Sequence, residues 1–314
     1  MTVLPDPRLA FLERINIQDT RIEFDGSHVV LLCGGKVPLK EHADADEPPI
    51  ASLRHALKRQ SESIEFFIPE EIDDWLHDGV FKDLMSFESE LAAICSIVVI
   101  VLESAGAIAE LGAFSQLKEL SEKLIAIKSR DFDAVHNNKS FINLGLLRFL
   151  DEAKGSSVRS YPWDVLRPAD VDRVVVTDVL TDIAEELGQL PKSAILNPQL
   201  SAHIAVIIYQ LVFTFSALGE KEIQDYLLVF GVSANRTDIR RKLFLLERFQ
   251  ILKREKYSDA EFYVLGRYGF HKLRLASKDG KKIDAFRTNA ECLEFYKLDT
   301  RQRNRHRAIA RPAR

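Results

Sequence analysis

Cysteine is scarce in this 314-residue chain: Cys33, Cys95 and Cys292 are odd in number and widely scattered. Such a set excludes a disulfide framework and fits no zinc spacing. Buried, reduced thiols are expected, certainly for Cys33 and Cys95 in strand-like sequence. No apolar run reaches the roughly 18 residues that a membrane span requires, and the opening MTVLPDPRLA has no signal-peptide core. Together these absences predict a cytoplasmic protein without a membrane partner. The phosphate-cradling P-loop is missing, and so is the GxGxxG turn of dinucleotide oxidoreductases, which argues against kinases, ATPases and Rossmann dehydrogenases. HExxH and GxSxG are missing as well, and the histidines are scattered, which argues against a zinc protease, a serine hydrolase and metal catalysis generally. His28 and His203 read as core or edge residues.

What is present is ordinary in bulk and uneven in detail. Hydrophobic residues make up 46% and charged residues 29%, the balance of a globular protein long enough for two domains. The net charge of −4 hides an asymmetry: −10 over residues 1–150, −6 over 151–235 and +12 over 236–314. An acidic front does not suit a polyanion, whereas a basic final quarter does.

Periodicity places strands at 28–33 (HVVLLC), 64–68 (IEFFI), 97–102 and 123–127. Helices are expected at 50–62, at 86–93 opened by Ser86, and at 107–121. An acidic amphipathic stretch covers about 70–84. This alternation predicts an α/β fold with a doubly wound parallel sheet. Residues 137–150 would close the domain, and 154–170 read as a loop or a strand-and-turn connection. Helices are expected again at 171–188, 200–218, 220–229 and 235–248, the last capped by Asn235 or Thr237. Two strands, 251–257 and 261–265, follow. Three helices and a β-hairpin are the order of a winged helix-turn-helix. The expected division is therefore 1–155, a connecting segment 156–198, a winged-helix-like domain 199–300 and a basic tail 301–314.

The segment 100–115, IVLESAGAIAELGAFS, carries most of the chemistry. A buried strand ends in Glu103, turns through Ser104 and Gly106, and enters a helix bearing Glu110. Strand ends and first helical turns meet at one edge of a parallel sheet, so Gly34, Gly35, Glu103, Gly106 and Glu110 should converge. One carboxylate there can attack or steady a sugar anomeric carbon while a second orients a hydroxyl or protonates a leaving group. On the structural alternative, Glu110 is a first-turn residue favoured by the helix dipole and Glu103 a solvated loop acid. In the last quarter, Arg236, Arg240, Arg241 and Lys242 form one helix face, and Lys253, Arg254 and Lys256 charge the hairpin. These residues suit a nucleic acid or another polyanion, although a solvated basic helix gives the same pattern. The tail RQRNRHRAIARPAR, with six arginines and no acid, is expected to be disordered unless it lies on phosphates.

A family resemblance covers roughly residues 28–150. LLCGG (31–35), FFIPEEIDDWL (66–76), LMSFESELAAICSIVVIVLES (84–104), GAIAELGAFS (106–115), KLIAI (123–127) and SFINLG (140–145) resemble, in order and spacing, the two-domain effectors encoded beside retron reverse transcriptases in bacterial anti-phage systems. The first domain of that family is similar to nucleoside 2-deoxyribosyltransferases, whose catalytic glutamate falls on Glu110 here. The resemblance implies a toxin that cleaves an N-glycosidic bond in a nucleotide, with NAD the leading candidate as substrate and no further cofactor. It also implies a complex with the reverse transcriptase and its RNA-linked multicopy single-stranded DNA, and self-association. In that scheme Glu110 acts at C1′, Glu103 positions sugar hydroxyls, the Gly34-Gly35 turn faces phosphate or ribose, and Ser104 and Gly106 also belong to the substrate site. Asn143 closes over the site, and Glu88 stands behind it. The sequence departs from relatives at SAGA (104–107), which lacks a proline after the serine, and at Leu144-Gly145-Leu146, which lacks a Gly-Pro. A regulator with a nucleotide-sensing first domain, or an ADP-ribosyltransferase acting on a macromolecule, are the competing readings.

Overall fold

A computed structural model of the chain describes residues 5–24, 28–38, 47–72, 79–135, 139–155, 157–233, 235–267 and 269–310. They belong to two compact units, each assembled from separate stretches of sequence. The sheet unit comprises His28–Asp74 and Asp83–Leu190. The helical unit comprises Met1–Ser27, Trp75–Lys82 and Pro191–Arg314.

The helical unit opens the chain with α1 (Pro7–Arg14) and β1 (Ile15–Glu23). In the sheet unit follow β2 (Val30–Cys33), α2 (Leu53–Gln60), β3 (Phe66–Phe67), α3 (Leu84–Ile94), β4 (Ile97–Val101), α4 (Ala105–Ser115) and α5 (Lys118–Ser121). The unit continues with β5 (Leu124–Ser129), α6 (Phe132–Val135), a π-helical stretch Ile142–Leu147 running into α7 (Arg148–Lys154), β6 (Val158–Tyr161) and α8 (Arg173–Gln189). Its five strands are all parallel in the order β3-β2-β4-β5-β6. Val98 lies beside both Leu31 and Leu124. Every residue of β4 is buried, which explains its unbroken apolar sequence: a parallel strand covered on both faces has no polar side. On one face Val30, Leu32, Val99, Val101, Ile125 and Ile127 pack with Leu53 and Leu57 of α2 and with Val175, Val176, Val179 and Ile183 of α8. Burying each such side chain stabilises the fold by about 1.5–3 kcal/mol. The opposite face, with Val98, Ile100 and Leu124, carries α4.

The α/β class with a parallel sheet is as the alternation predicts, and two boundaries differ from expectation. Residues 156–198 do not merely connect. β6 extends the sheet, pairing Ala126 with Val158, and α8 buries its apolar stripe against it. The first residues, for their part, belong to the helical unit. There β1 pairs antiparallel with β10 (Lys272–Ser277) and with β7 (Ser193–Ile195), strands far from it in sequence. Locally, α3 is capped by Asp83, which accepts the Ser86 N–H at 2.7 Å, so the expected Ser86 cap lies inside the helix. The helix expected over 107–121 divides into α4 and α5. All three cysteines are free and buried.

Elsewhere in the helical unit α9 (Ser201–Phe215), α10 (Glu220–Val229) and α11 (Arg236–Arg248) precede an antiparallel hairpin, β8 (Leu252–Tyr257) and β9 (Ala260–Leu265). α9 is buried along most of its length, and Asn235 caps α11 by accepting the Asp238 N–H at 3.0 Å. α12 (Ala285–Leu298) and α13 (Arg303–Ile309) complete the unit. The tail expected to be disordered thus forms a helix over 303–309; residues 311–314 lie outside the described residues. Arg305 explains it: only 5% exposed, it lies between the rings of Phe262 and Tyr296 and donates to the Ala217 carbonyl and to Glu222. No helix among the described residues is long and apolar enough to cross a membrane.

Candidate active site

Successive strands are added on opposite sides of β2, with β3 on one side and β4 on the other. The carboxyl ends of β2 and β4 therefore border the switch-point crevice where open α/β sheets hold ligands. β2 ends in Gly34-Gly35. Gly34 has φ +152°, and a Cβ there would lie 3.0 Å from Val101 Cβ; a Cβ on Gly35 would lie 2.8 Å from both Glu103 Cγ and Ser52 Cβ. Only glycines allow so close an approach. Glu103 Oε1 accepts the backbone N–H groups of Gly35 (3.1 Å) and Arg54 (3.0 Å), and its Oε2 accepts that of Leu53 (2.8 Å). It thus satisfies the first amides of α2 and complements the helix dipole. Burial raises its pKa against the pull of those donors. Glu103 is thus not a solvated loop acid; its carboxylate clamps the turn. Ser104 caps α4, accepting the Ala107 N–H at 3.1 Å, and donates its hydroxyl to the Gly34 carbonyl at 3.2 Å. Gly106 meets nothing closer than Ser104 Oγ at 3.8 Å, so no close approach explains it.

Glu110 is the sixth residue of α4, beyond the first turn where the dipole acts, so the dipole does not explain it. Its Oε2 is buried and has no hydrogen-bond partner among the described residues. Burial raises its pKa, while the Cys33 thiol and the Arg54 charge oppose the rise. Glu88 of α3 is 8% exposed. Its carboxyl is pushed up to about 7 by burial and then by the charges of Glu110 and Glu70, against Arg54. Both carboxyls of the pair are thus held above the ordinary value, burial being the largest cause in each.

Two members of the cluster were not anticipated from sequence. Arg54 is 2% exposed, donates to the carbonyls of Leu32 and Gly35, and grips Glu70 bidentately at 2.8 and 2.6 Å. Burial raises the Glu70 carboxyl, but Arg54 outweighs it and holds the pKa below the usual value. Cys33 closes the group; burial and then the Glu110 charge push its thiol well up, so it stays protonated. A usable signal existed: Glu70 follows the β3 strand as Glu103 follows β4, and strand ends share one edge. Asn143 lies in the π-helical stretch, which packs on α4 where Leu146 approaches Gly112 at 3.8 Å from a notional Cβ. π-helical turns are frequent at functional sites.

The basic residues of the helical unit are less available than their spacing suggests. Arg236 and Arg240 both bind Glu220, at 2.6 and 2.9 Å. Arg241 lies over the Phe81 ring and faces Asp238 at 3.8 Å. Lys242 is 4% exposed, packed on the Leu243–Leu246 side of α11, and so cannot join a basic face. On the hairpin, Lys253, Arg254 and Lys256 pair with Glu255, Glu247 and Glu261.

A five-stranded parallel sheet with buried carboxylates at its switch point defines the chain as an α/β protein. The chain belongs to the STM3845 retron effector protein family, whose profile matches residues 50–254. It is similar to the Escherichia coli "Retron Ec86 putative ribosyltransferase/DNA-binding protein", 31% identical over 162 residues, covering 50% of this chain and 46% of that protein. It is also similar to the E. coli "Retron Ec73 putative ribosyltransferase/DNA-binding protein", 31% identical over 131 residues, covering 41% of this chain and 39% of the other. Each match spans less than half of the relative's length.

Proposed function

We propose that the sheet unit, as a nucleoside deoxyribosyltransferase-like domain, cleaves the N-glycosidic bond of a nucleotide, with NAD the leading candidate. The observation behind this reading is the Glu110–Glu88 pair: one buried carboxylate whose Oε2 has no partner among the described residues, and a second whose pKa burial pushes up to about 7. Glu110 bonds to C1′, or steadies its cationic character, as the base departs with the electrons of the C–N bond. Water then adds to C1′ through its oxygen, displacing the Glu110 carboxylate where a bond had formed, and its proton passes to the deprotonated Glu88 or to solvent. For a neutral base, Glu88 donates its proton to the departing ring. Nicotinamide leaves NAD neutral without a proton, so with that substrate Glu88 holds a ribose hydroxyl instead. Glu103 positions the glycine turn. Incubation of the protein with NAD and other nucleotides should release a free base, and Glu110→Gln should not; a folded Glu110→Gln protein with full activity would overturn the assignment.

The relatives' name favours a second reading, transfer of the ribosyl group to an acceptor other than water. Mass spectrometry separates the two: a free sugar phosphate marks hydrolysis, a modified macromolecule marks transfer. We further propose that the chain is the toxin of a retron, restrained by its reverse transcriptase and multicopy single-stranded DNA in a higher-order assembly. The winged-helix-like segment α9–β9 would hold the nucleic acid or the polymerase.

A further inference from the structure

The carboxyl edge of the sheet has a second recess, beside β5 and β6. It encloses about 470 Å³, within the range of small-ligand pockets, and shares Glu103, Ser104 and Ala105 with the turn that borders the carboxylate cluster. Its walls are chiefly apolar and aromatic, with Ile108, Phe132, Trp163 and Val165 among them. Three polar groups in the lining have no hydrogen-bond partner among the described residues, the first being the buried Trp163 Nε1. Ser129, at the end of β5, is 4% exposed and presents a hydroxyl. Asp131, two residues on, presents an exposed carboxylate. The nearby Asp164 is engaged by the Leu166 N–H and by Arg167. Neither the carboxylate cluster nor the proposed chemistry uses any of these groups.

Aromatic walls suit a flat ring. An ionised carboxylate only accepts, so the ring must present N–H donors to Asp131, while a hydroxyl such as Ser129 can serve a ring nitrogen. We propose that this recess binds an amino-bearing nucleobase, its ring against Trp163 and Phe132 and its exocyclic amine on Asp131. The inference rests on the proposed nucleotide chemistry only for the premise that the protein meets nucleotides; it does not require Glu110.

Calorimetry with adenosine, and with purine riboside, which lacks only the amino group, tests it. Adenosine should bind the full-length protein and its Glu110→Gln variant equally, and purine riboside about tenfold or more weakly. Asp131→Ala, which removes the acceptor at an exposed position and leaves the core intact, should abolish most of that preference, and Ala105→Phe at the rim should block both ligands. In a Trp75→Phe background, where Trp163 is the only indole, adenosine should quench its fluorescence. Equal affinity for the two ligands, or adenosine binding lost in Glu110→Gln yet indifferent to Asp131→Ala, would overturn the proposal. Adenosine binding as described, with no base released from any nucleotide, would sustain the recess while removing the proposed catalysis.

Discussion

Glu110 and Glu88 differ in what surrounds them, and that difference is testable residue by residue. Because burial raises both carboxyls, neutralising either relieves a cost. Glu110→Gln should therefore fold at least as stably as the parent while losing about 10³-fold or more in turnover. For Glu88 the folded value is about 7 against an ordinary 4.5. Below pH 4 both folded and unfolded chains hold the proton, and stability falls as pH rises from about 4.5 to about 7, where only the unfolded chain has released it. Glu88→Gln should then leave the melting temperature unchanged near pH 4 and raise it above pH 7, by at most about 3 kcal/mol of stability. A thermal melt series across pH checks this; a Glu88→Gln protein less stable at pH 8 would contradict the burial argument. Gly35→Ala would drive a methyl group into Glu103 and Ser52, and should destabilise by roughly 1–3 kcal/mol with loss of the clamp.

At the scale of elements, most of the sheet unit was legible. β4 could be recognised because a strand buried on both faces must be apolar throughout, and Gly34-Gly35, Glu103 and Glu110 were gathered by the rule that strand ends share one edge. What sequence could not show was which atoms those groups would spend. Glu103 has the same local pattern whether it faces a ligand or a helix N-terminus, and only the approach of α2, fifty residues earlier, decides. Arg54 escaped because a buried arginine on an otherwise apolar helix face is indistinguishable in sequence from an exposed one; Glu70 is what makes it tolerable there. α11 gives the same lesson with opposite sign, since counting its arginines overlooked Glu220, one helix away. Glu220→Gln should free Arg236 and Arg240, tighten polyanion binding and steepen its dependence on log salt by up to about 2. Reversing Arg240 and Arg241 should weaken that binding. Titrations at several salt concentrations would show it, and an unchanged slope in Glu220→Gln would mean that this face is not the one used.

For the whole molecule, the fold class followed from alternation, but the division into units did not. β1 pairs with β10 across some 250 residues, and no local pattern encodes such a partner. The C-terminal helix is held likewise, by Arg305 on Glu222 and the Ala217 carbonyl. Arg305→Ala should cost about 3 kcal/mol, lowering hydrogen-exchange protection in α10, β9 and α13 while leaving β4 and β5 protected. Equal protection throughout would show that α13 is dispensable. Above these details stands the claim that this family member destroys a nucleotide by way of Glu110. The most direct measurement is the nucleotide pool of cells expressing the chain, wild type beside Glu110→Gln at equal protein level. One nucleotide should collapse with matching release of its base in the wild type only; pools that stay intact, or that collapse equally with Glu110→Gln, would contradict it.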